Sequence, residues 1–291
     1  MVRLGLVGPG RAGQALVRLL PASDFELGPV RARTWVSARR ATRQMRRGEP
    51  STDYNDFARC ALILIAVPDD AIAGVARELA SASFSFRGTV ALHTSGALSS
   101  AELEPLRARG AAVGSLHPLQ TFGRPVGSLA GVYFAVEGDE AARRMAHSLV
   151  RAWGGKLLRI RAEQKALYHA AATFSSPLVT PLLEAAVRLM QRAGIPAKTA
   201  VRALLPLVAT TVENFAHAGR ASWTGPLARG DAATVRKHLE ALAGQDGGLE
   251  QYYRSSAAAA LALLGKHPEL ERLLREAGLA LGASTERAGR S

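Results

Sequence analysis

The chain has a single cysteine, Cys60, in 291 residues. One thiol forms no internal disulfide and no cysteine-based zinc cage, so nothing points to an oxidising compartment, and the cytoplasm is the expected location with no metal site. Aromatic residues are scarce at 5% and charged residues make up only 21%, yet hydrophobic residues reach 48%, with 28 Gly and 14 Pro. These proportions exclude a disordered, collagen-like or repeat-biased chain. A long uninterrupted apolar run is also missing. Residues 166–183 contain no Asp, Glu, Lys or Arg but are interrupted by His169, Ser175, Ser176, Pro177 and Pro181, so no membrane span is expected. Met1–Val7 is too short for a signal-peptide core and runs straight into glycines.

Lysine is sparse, with 5 against 32 arginines, and the net charge is +13. The excess divides almost evenly, +6 over 1–155 and +7 over 156–291. An even spread of this kind reflects composition, not a nucleic-acid footprint, so no nucleic-acid partner is expected. One local cluster stands out: Arg31, Arg33, Arg39, Arg40, Arg43, Arg46 and Arg47, with no acid among them.

Length alone suggests about two domains. The first half alternates short β-rich runs with helical stretches, the pattern of a mostly parallel, doubly wound Rossmann-like α/β sheet. Strands are expected at Val2–Val7, Val30–Val36, Ala61–Val67, Thr89–His93, Ala112–Leu116, Val132–Val136 and Lys156–Ile160. The third run is apolar throughout, as a strand covered on both faces should be. It leads to Pro68-Asp69-Asp70, where acids can cap a helix, and Ser99 with Glu102 forms a capping-box pattern. After residue 162 strand signals vanish and helical periods take over at 163–192, 197–218, 231–242, 246–264 and 267–277, with Pro177 and Pro181 expected to kink the first. The boundary is therefore set between a nucleotide-binding domain, 1–162, and an all-helical domain, 163–291, whose last residues, 282–291, look frayed.

The strongest motif is Gly8-Pro9-Gly10-Arg11-Ala12-Gly13, a GxGxxG placed directly after a strand and opening a helix. Gly8 permits the tight turn, Gly10 lets backbone approach a pyrophosphate, Gly13 lets helix and sheet pack, and the helix N-terminus supplies free N–H donors. A dinucleotide is the expected ligand. Where NAD sites carry an acid after the second strand, this chain reads Ser37-Ala38-Arg39-Arg40. A hydroxyl and two guanidiniums suit a 2′-phosphate, so NADP(H) is the expected cofactor. Arg43, Arg46 and Arg47 fit a solvated helix face.

Two polar clusters follow strands: His93-Thr94-Ser95-Gly96 and Ser115-Leu116-His117-Pro118. Histidine is the usual proton shuttle near neutral pH, and a nearby hydroxyl can orient a substrate. His93 reads as a strand-end residue near the nicotinamide, and His117 as either an acid/base or a turn residue. On the next helix Lys165 and His169 are four apart and share a face, either lining a cleft or serving as an exposed first-turn lysine and a core histidine. Thr224-Gly225-Pro226-Leu227-Ala228-Arg229-Gly230-Asp231 places a guanidinium that could clamp a substrate anion just before Asp231, a natural helix N-cap.

With these motifs in this order, the chain resembles the Rossmann-like NADP oxidoreductases that carry a helical C-terminal domain of unknown function, within the 6-phosphogluconate-dehydrogenase-like superfamily. The resemblance also takes in Val67-Pro68-Asp69, Gln120-Thr121-Phe122 and Lys165-Ala166-Leu167-Tyr168-His169. It implies NADP(H) held by the glycine loop, Val67, Pro68 and Thr94, and a homodimer formed through the helical domain. It also implies a small-molecule substrate between the domains. By analogy with prephenate and β-hydroxyacid dehydrogenases it raises His117, Ser95 and Lys165 as catalytic residues beside His169, with His93 and Arg229 toward substrate. Close relatives have an Asn shortly after the Lys-x-x-x-His turn, and this chain departs from them with Ser175-Ser176-Pro177. The expected activity is hydride transfer to or from a small anionic carbonyl, imine or hydroxy compound. The competing expectation is a non-catalytic NADPH sensor or adaptor.

Overall fold

The computed structural model describes residues 1–243, 247–265 and 267–276. Two compact units divide at Val179/Thr180.

The first unit is built on eight strands: β1 (Val2–Val7), β2 (Phe25–Arg31), β3 (Glu49–Ser51), β4 (Leu62–Ile65), β5 (Val90–His93), β6 (Ala112–Pro118), β7 (Tyr133–Gly138) and β8 (Lys156–Arg159). They form one sheet in the order β3-β2-β1-β4-β5-β6-β7-β8, parallel except for the antiparallel β6–β7 pair. Its helices are α1 (Arg11–Arg18), α2 (Trp35–Met45), α3 (Asp69–Ala80), α4 (Glu104–Arg107), α5 (Glu140–Ala152) and α6 (Lys165–Ser175). The apolar β4 run is explained by its alternation. Leu62 and Leu64 join the core under α1 and α5 with Leu16, Phe134 and Trp153, while Ile63 and Ile65 join Phe57, Ile72 and Phe86 on the other face. A strand buried on both sides has no polar phase.

The expected second strand is corrected. It runs over Phe25–Arg31, because Thr34 caps α2 by accepting from the Ser37 N–H, and the residues after a cap belong to a helix. Trp35 and Val36 are β-prone by type but sit exposed in the first helical turn. Two cap expectations also change. Asp69 does not cap the helix it opens, and Ser99 caps a short 3-10 turn, Ser100–Leu103, by accepting from the Ala101 N–H.

Arg47 does not lie on a solvated face. Its guanidinium donates to the carbonyls of Val17, Leu20 and Phe25 at 3.3, 2.8 and 2.7 Å, joining the end of α1 to the start of β2. Lys165 is also buried, and it pins the start of α6 to the sheet unit. Helical texture therefore begins near residue 162 while the compact unit continues to Val179.

The second unit holds α7 (Val179–Arg192), α8 (Ala197–Ala218), α9 (Gly225–Arg229), α10 (Ala232–Leu242), α11 (Gly247–Leu264) and α12 (Pro268–Glu276). Val235, Leu239, Leu261, Leu270 and Leu274 form a core among the last three. Asp231 caps α10, accepting from the Thr234 N–H at 3.0 Å. The segment 162–192 is apolar and long enough to cross a membrane by composition, but the helix breaks at 176–178, beside Pro177. The tail 282–291, expected to fray, lies outside the described residues.

Candidate active site

Strand register sets out the site. Val7 pairs with Ile65, Ile65 with His93, and His93 with Ser115, so the ends of β1, β4 and β5 form one row with Ser115 of β6, about 14 Å long at three inter-strand spacings, and β6 runs on past the row to His117 and Pro118. Open α/β sheets bind ligands beyond such carboxyl ends.

The glycine loop stands at the β1 end. Gly8 has φ +87, and a Cβ there would come within 2.6 Å of Val67 Cγ1. A Cβ on Gly13 would sit 2.6 Å from the Gly8 carbonyl oxygen, whereas one on Gly10 would meet nothing within 4 Å. Gly8 and Gly13 are therefore required by packing. Gly10 is small although nothing in the protein demands it, which leaves open backbone at the N-terminus of α1, where no side chain caps the helix. That combination fits a pyrophosphate. Val67 packs beneath the loop, Pro68 precedes α3, and the Thr94 N–H donates to Ile65 O at 3.1 Å. Arg11 is exposed, with one guanidinium nitrogen 3.5 Å from Gly123 O.

Because β2 ends at Arg31, the groups nearest its carboxyl end are Arg33 and Thr34, both exposed. Ser37 stays close, its hydroxyl 2.9 Å from that of Thr34. Arg39 and Arg40 belong to the second turn of α2 and do not follow the strand directly. The Arg31 guanidinium lies 3.6 Å over the Tyr54 ring.

At the other end of the row the polar clusters converge. His93 is fully buried; its Nδ1 accepts from the Ser95 N–H at 3.2 Å and its Nε2 lies 3.0 Å from Ser99 O. The first bond requires the ring proton on Nε2, so both nitrogens are used. Burial, with the Lys165 ammonium adding to it, pushes His93 down to about 4. His93 has no group free for substrate, a correction to its expected role. The Ser95 hydroxyl donates to Asp69 Oδ2 at 2.8 Å and accepts from the Ala97 and Leu98 N–H groups at 3.2 and 3.0 Å. A saturated hydroxyl cannot polarise a ligand. Ser95 organises the loop instead of acting as the expected catalyst.

Lys165 reverses its simplest reading, since it is fully buried. Its ammonium donates to Ser95 O and to the Ser115 hydroxyl. Burial lowers it to about 8 against the upward pull of Glu137 and Asp69. It ties α6 to the loop after β5 and to the middle of β6, with no surface for a substrate to touch. Glu137 is itself buried, accepting from the Ser100 N–H and hydroxyl at 2.6 and 2.9 Å.

His117 and His169 face open space. The His117 Nδ1 lies 2.8 Å from the Tyr168 hydroxyl, and its ring stands edge-on to that of His169 at 5.8 Å between centroids. Gly96 lies against both: a Cβ there would fall 2.5 Å from His169 Cδ2 and 2.9 Å from His117 Nε2. Burial, then His169 and Lys165, pushes His117 down to about 4, and burial raises Tyr168 to about 12. A neutral imidazole therefore meets a neutral phenol. His117, Tyr168 and His169 line a pocket of about 790 Å³. Arg229 lies in the second unit, exposed at the end of α9.

Sequence reasoning passed over Asp69, Gly96, Glu137 and Tyr168. Two had a signal: Glu137 is an acid directly after the apolar run Phe134-Ala135-Val136, and Tyr168 immediately precedes His169 on the motif helix.

A glycine loop between the first strand of a mostly parallel sheet and the helix that follows it is the mark of the Rossmann-like class. Residues 1–118 match the profile of the Rossmann-like domain, and residues 132–260 match that of a domain of unknown function, DUF2520, which begins at β7 within the sheet. The two matches follow one another along the chain, the Rossmann-like domain first and the DUF2520 domain after it. No protein of curated function matches it. Among solved structures it is similar to a "putative NADP oxidoreductase" from Bacteroides fragilis, with TM-score 0.73 and 21% identity over 89% of this chain and 97% of that one. It is similar to a 1-pyrroline-5-carboxylate reductase from Streptococcus pyogenes, with TM-score 0.60 and 13% identity over 93% and 98%. A reductive aminase from Aspergillus terreus, in complex with NADPH and ethyl-5-oxohexanoate, gives 0.61 and 18% over 99% and 96%. At these identities the likeness is one of fold.

Proposed function

We propose that the chain is an NADP(H)-dependent oxidoreductase acting on a carbonyl, imine or hydroxy compound held beside His117. The observation that carries this reading is the shared row of strand ends, with the open Gly10 backbone at one end and the His117–Tyr168 pair beside a pocket at the other. The structural neighbours named for NADP or NADPH support it.

The dinucleotide would be held by Gly8, Gly10 and the N-terminus of α1, with Arg33, Thr34 and Ser37 toward a 2′-phosphate. When bound, it supplies or accepts the hydride. His117 and Tyr168 provide a hydrogen bond at the reacting oxygen or nitrogen. With the Tyr168 O–H donating to Nδ1, the ring proton resides on Nε2, the nitrogen beside Gly96, and can donate to a substrate heteroatom. With the opposite tautomer Nε2 accepts, as oxidation of a hydroxyl group requires. The buried Lys165, Ser95 and Asp69 hold α6 and the β5 loop so that these rings meet.

Titration with NADPH and NADH tests the cofactor. NADPH should bind at least tenfold more tightly, and Arg33→Ala should erode the difference more than Arg39→Ala or Arg40→Ala. Equal affinities would overturn the NADP assignment, and NADPH binding with no oxidation across a broad carbonyl and imine panel would favour a sensor.

We also propose a homodimer formed through the helical unit. Of the 22 residues of α8 only Ala200 is buried, while Leu205, Val212 and Phe215 are exposed, apolar side chains that a second copy of the helical unit would cover.

A further inference from the structure

The pocket beside His117 says what kind of molecule it takes. None of the described residues that line it is Asp, Glu, Lys or Arg. Its walls are apolar, with Leu119, Leu158 and Pro177 on them, and its polar groups are His117, Tyr168 and His169 together with amide and hydroxyl side chains. An anion bound there would give up water for a surface without a cation, and an unpaired charge pays heavily for that exchange.

The nearest buried charges give no help. The Lys165 ammonium is spent on Ser95 O and the Ser115 hydroxyl and is fully enclosed. The two carboxylates that act on it are Asp69, which is exposed, and Glu137, which is buried and takes its hydrogen bonds from Ser100. A carboxylate or phosphate in the pocket would find no ion-pair partner among the lining residues, whereas a carbonyl or hydroxyl needs only one hydrogen bond, which His117 Nε2 can give or accept. Hydrophobic walls with a few convergent polar groups are the usual composition of sites for small neutral ligands.

We propose that this pocket binds an uncharged, mainly apolar carbonyl, imine or hydroxy compound, and not the anion that the sequence suggests. The inference rests on the oxidoreductase reading and deepens it by fixing the substrate's charge.

The test uses the full chain and a matched pair of probes, 2-octanone and 7-oxooctanoate, which share a ketone and differ in a carboxylate. Imidazole resonances of His117 and His169 are followed by NMR, with and without NADP+. The neutral ketone should shift both rings and bind at least tenfold more tightly than the keto acid. Leu119→Arg, at a position 38% exposed, should reverse that order, and Leu158→Arg provides a second placement of the cation should the first variant not fold. Equal or tighter binding of 7-oxooctanoate to the unaltered protein, or no shift of either imidazole with either probe, overturns the proposal. Ketone binding in a protein that fails to bind NADP+ or NADPH would keep the pocket assignment and sink the oxidoreductase reading, so the two failures are separable.

Discussion

The Tyr168 hydroxyl sits 2.8 Å from Nδ1 of His117, joining α6 to the end of β6 across 51 residues of chain. This bond fixes which ring nitrogen is left for the pocket. Tyr168→Phe should therefore scramble the His117 tautomer, read as altered 15N shifts of the ring, and should lower turnover about 10²-fold if the pair serves as acid or base. An unchanged tautomer in the variant would show that another group orients the ring.

Gly96 tests the packing behind that geometry. Its φ is ordinary, so alanine adds no backbone strain, but the new Cβ would crowd His169 and His117. Gly96→Ala should fold with a loss of about 1–3 kcal/mol and displace both imidazole resonances while NADPH affinity stays within twofold. Wild-type histidine spectra would refute the close approach.

The glycine loop separates packing from ligand binding. Gly10→Ala, whose Cβ meets nothing, should melt within about 2 °C of wild type yet bind NADPH far more weakly. Gly13→Ala, pressed against the Gly8 carbonyl, should lose stability before binding is measured. Unimpaired NADPH binding by Gly10→Ala would place the cofactor elsewhere.

Acid should destabilise the fold through two histidines. His93 and His117 titrate at about 4 in the native protein against an ordinary 6.5. Between those values the unfolded chain binds more protons than the folded one, so stability rises with pH across about 4 to 6.5 and falls on acidification. Each group contributes at most about 1.4 kcal/mol per pH unit there. Urea unfolding at several pH values should show this slope, reduced by roughly half in His117→Gln. Lys165, lowered to about 8, adds a rise in stability from about 8 toward its ordinary 10.5, which Lys165→Met should remove.

Arg47 is a stability prediction free of function. Replacing it with Met removes its bonds to the carbonyls of Val17, Leu20 and Phe25, of which Val17 O keeps the Leu20 N–H, and should cost about 1–3 kcal/mol in chemical denaturation. NADPH affinity measured on the folded fraction should not change.

What could be read before folding was whatever depends on neighbours in the chain. The GxGxxG turn, the all-apolar β4 run, the loss of strand texture after residue 162 and the Asp231 cap are local, because turn geometry, strand burial and capping act within a few residues. The end of β2 was misplaced for the same reason: Trp35 and Val36 look like strand by type, and only the Thr34 cap, a weaker local signal, says otherwise. The site itself depends on contacts 21 to 73 residues apart. That Ser95 is saturated by Asp69, that Lys165 is buried against Ser115, and that Gly96 makes room for two histidines are matters of distance between β5, β6, β7, α3 and α6. Sequence named the histidines, lysine and serine that take part. Tertiary packing decided which of them keep a free polar atom, because a hydrogen-bonding group satisfied inside the protein has nothing left to offer a ligand.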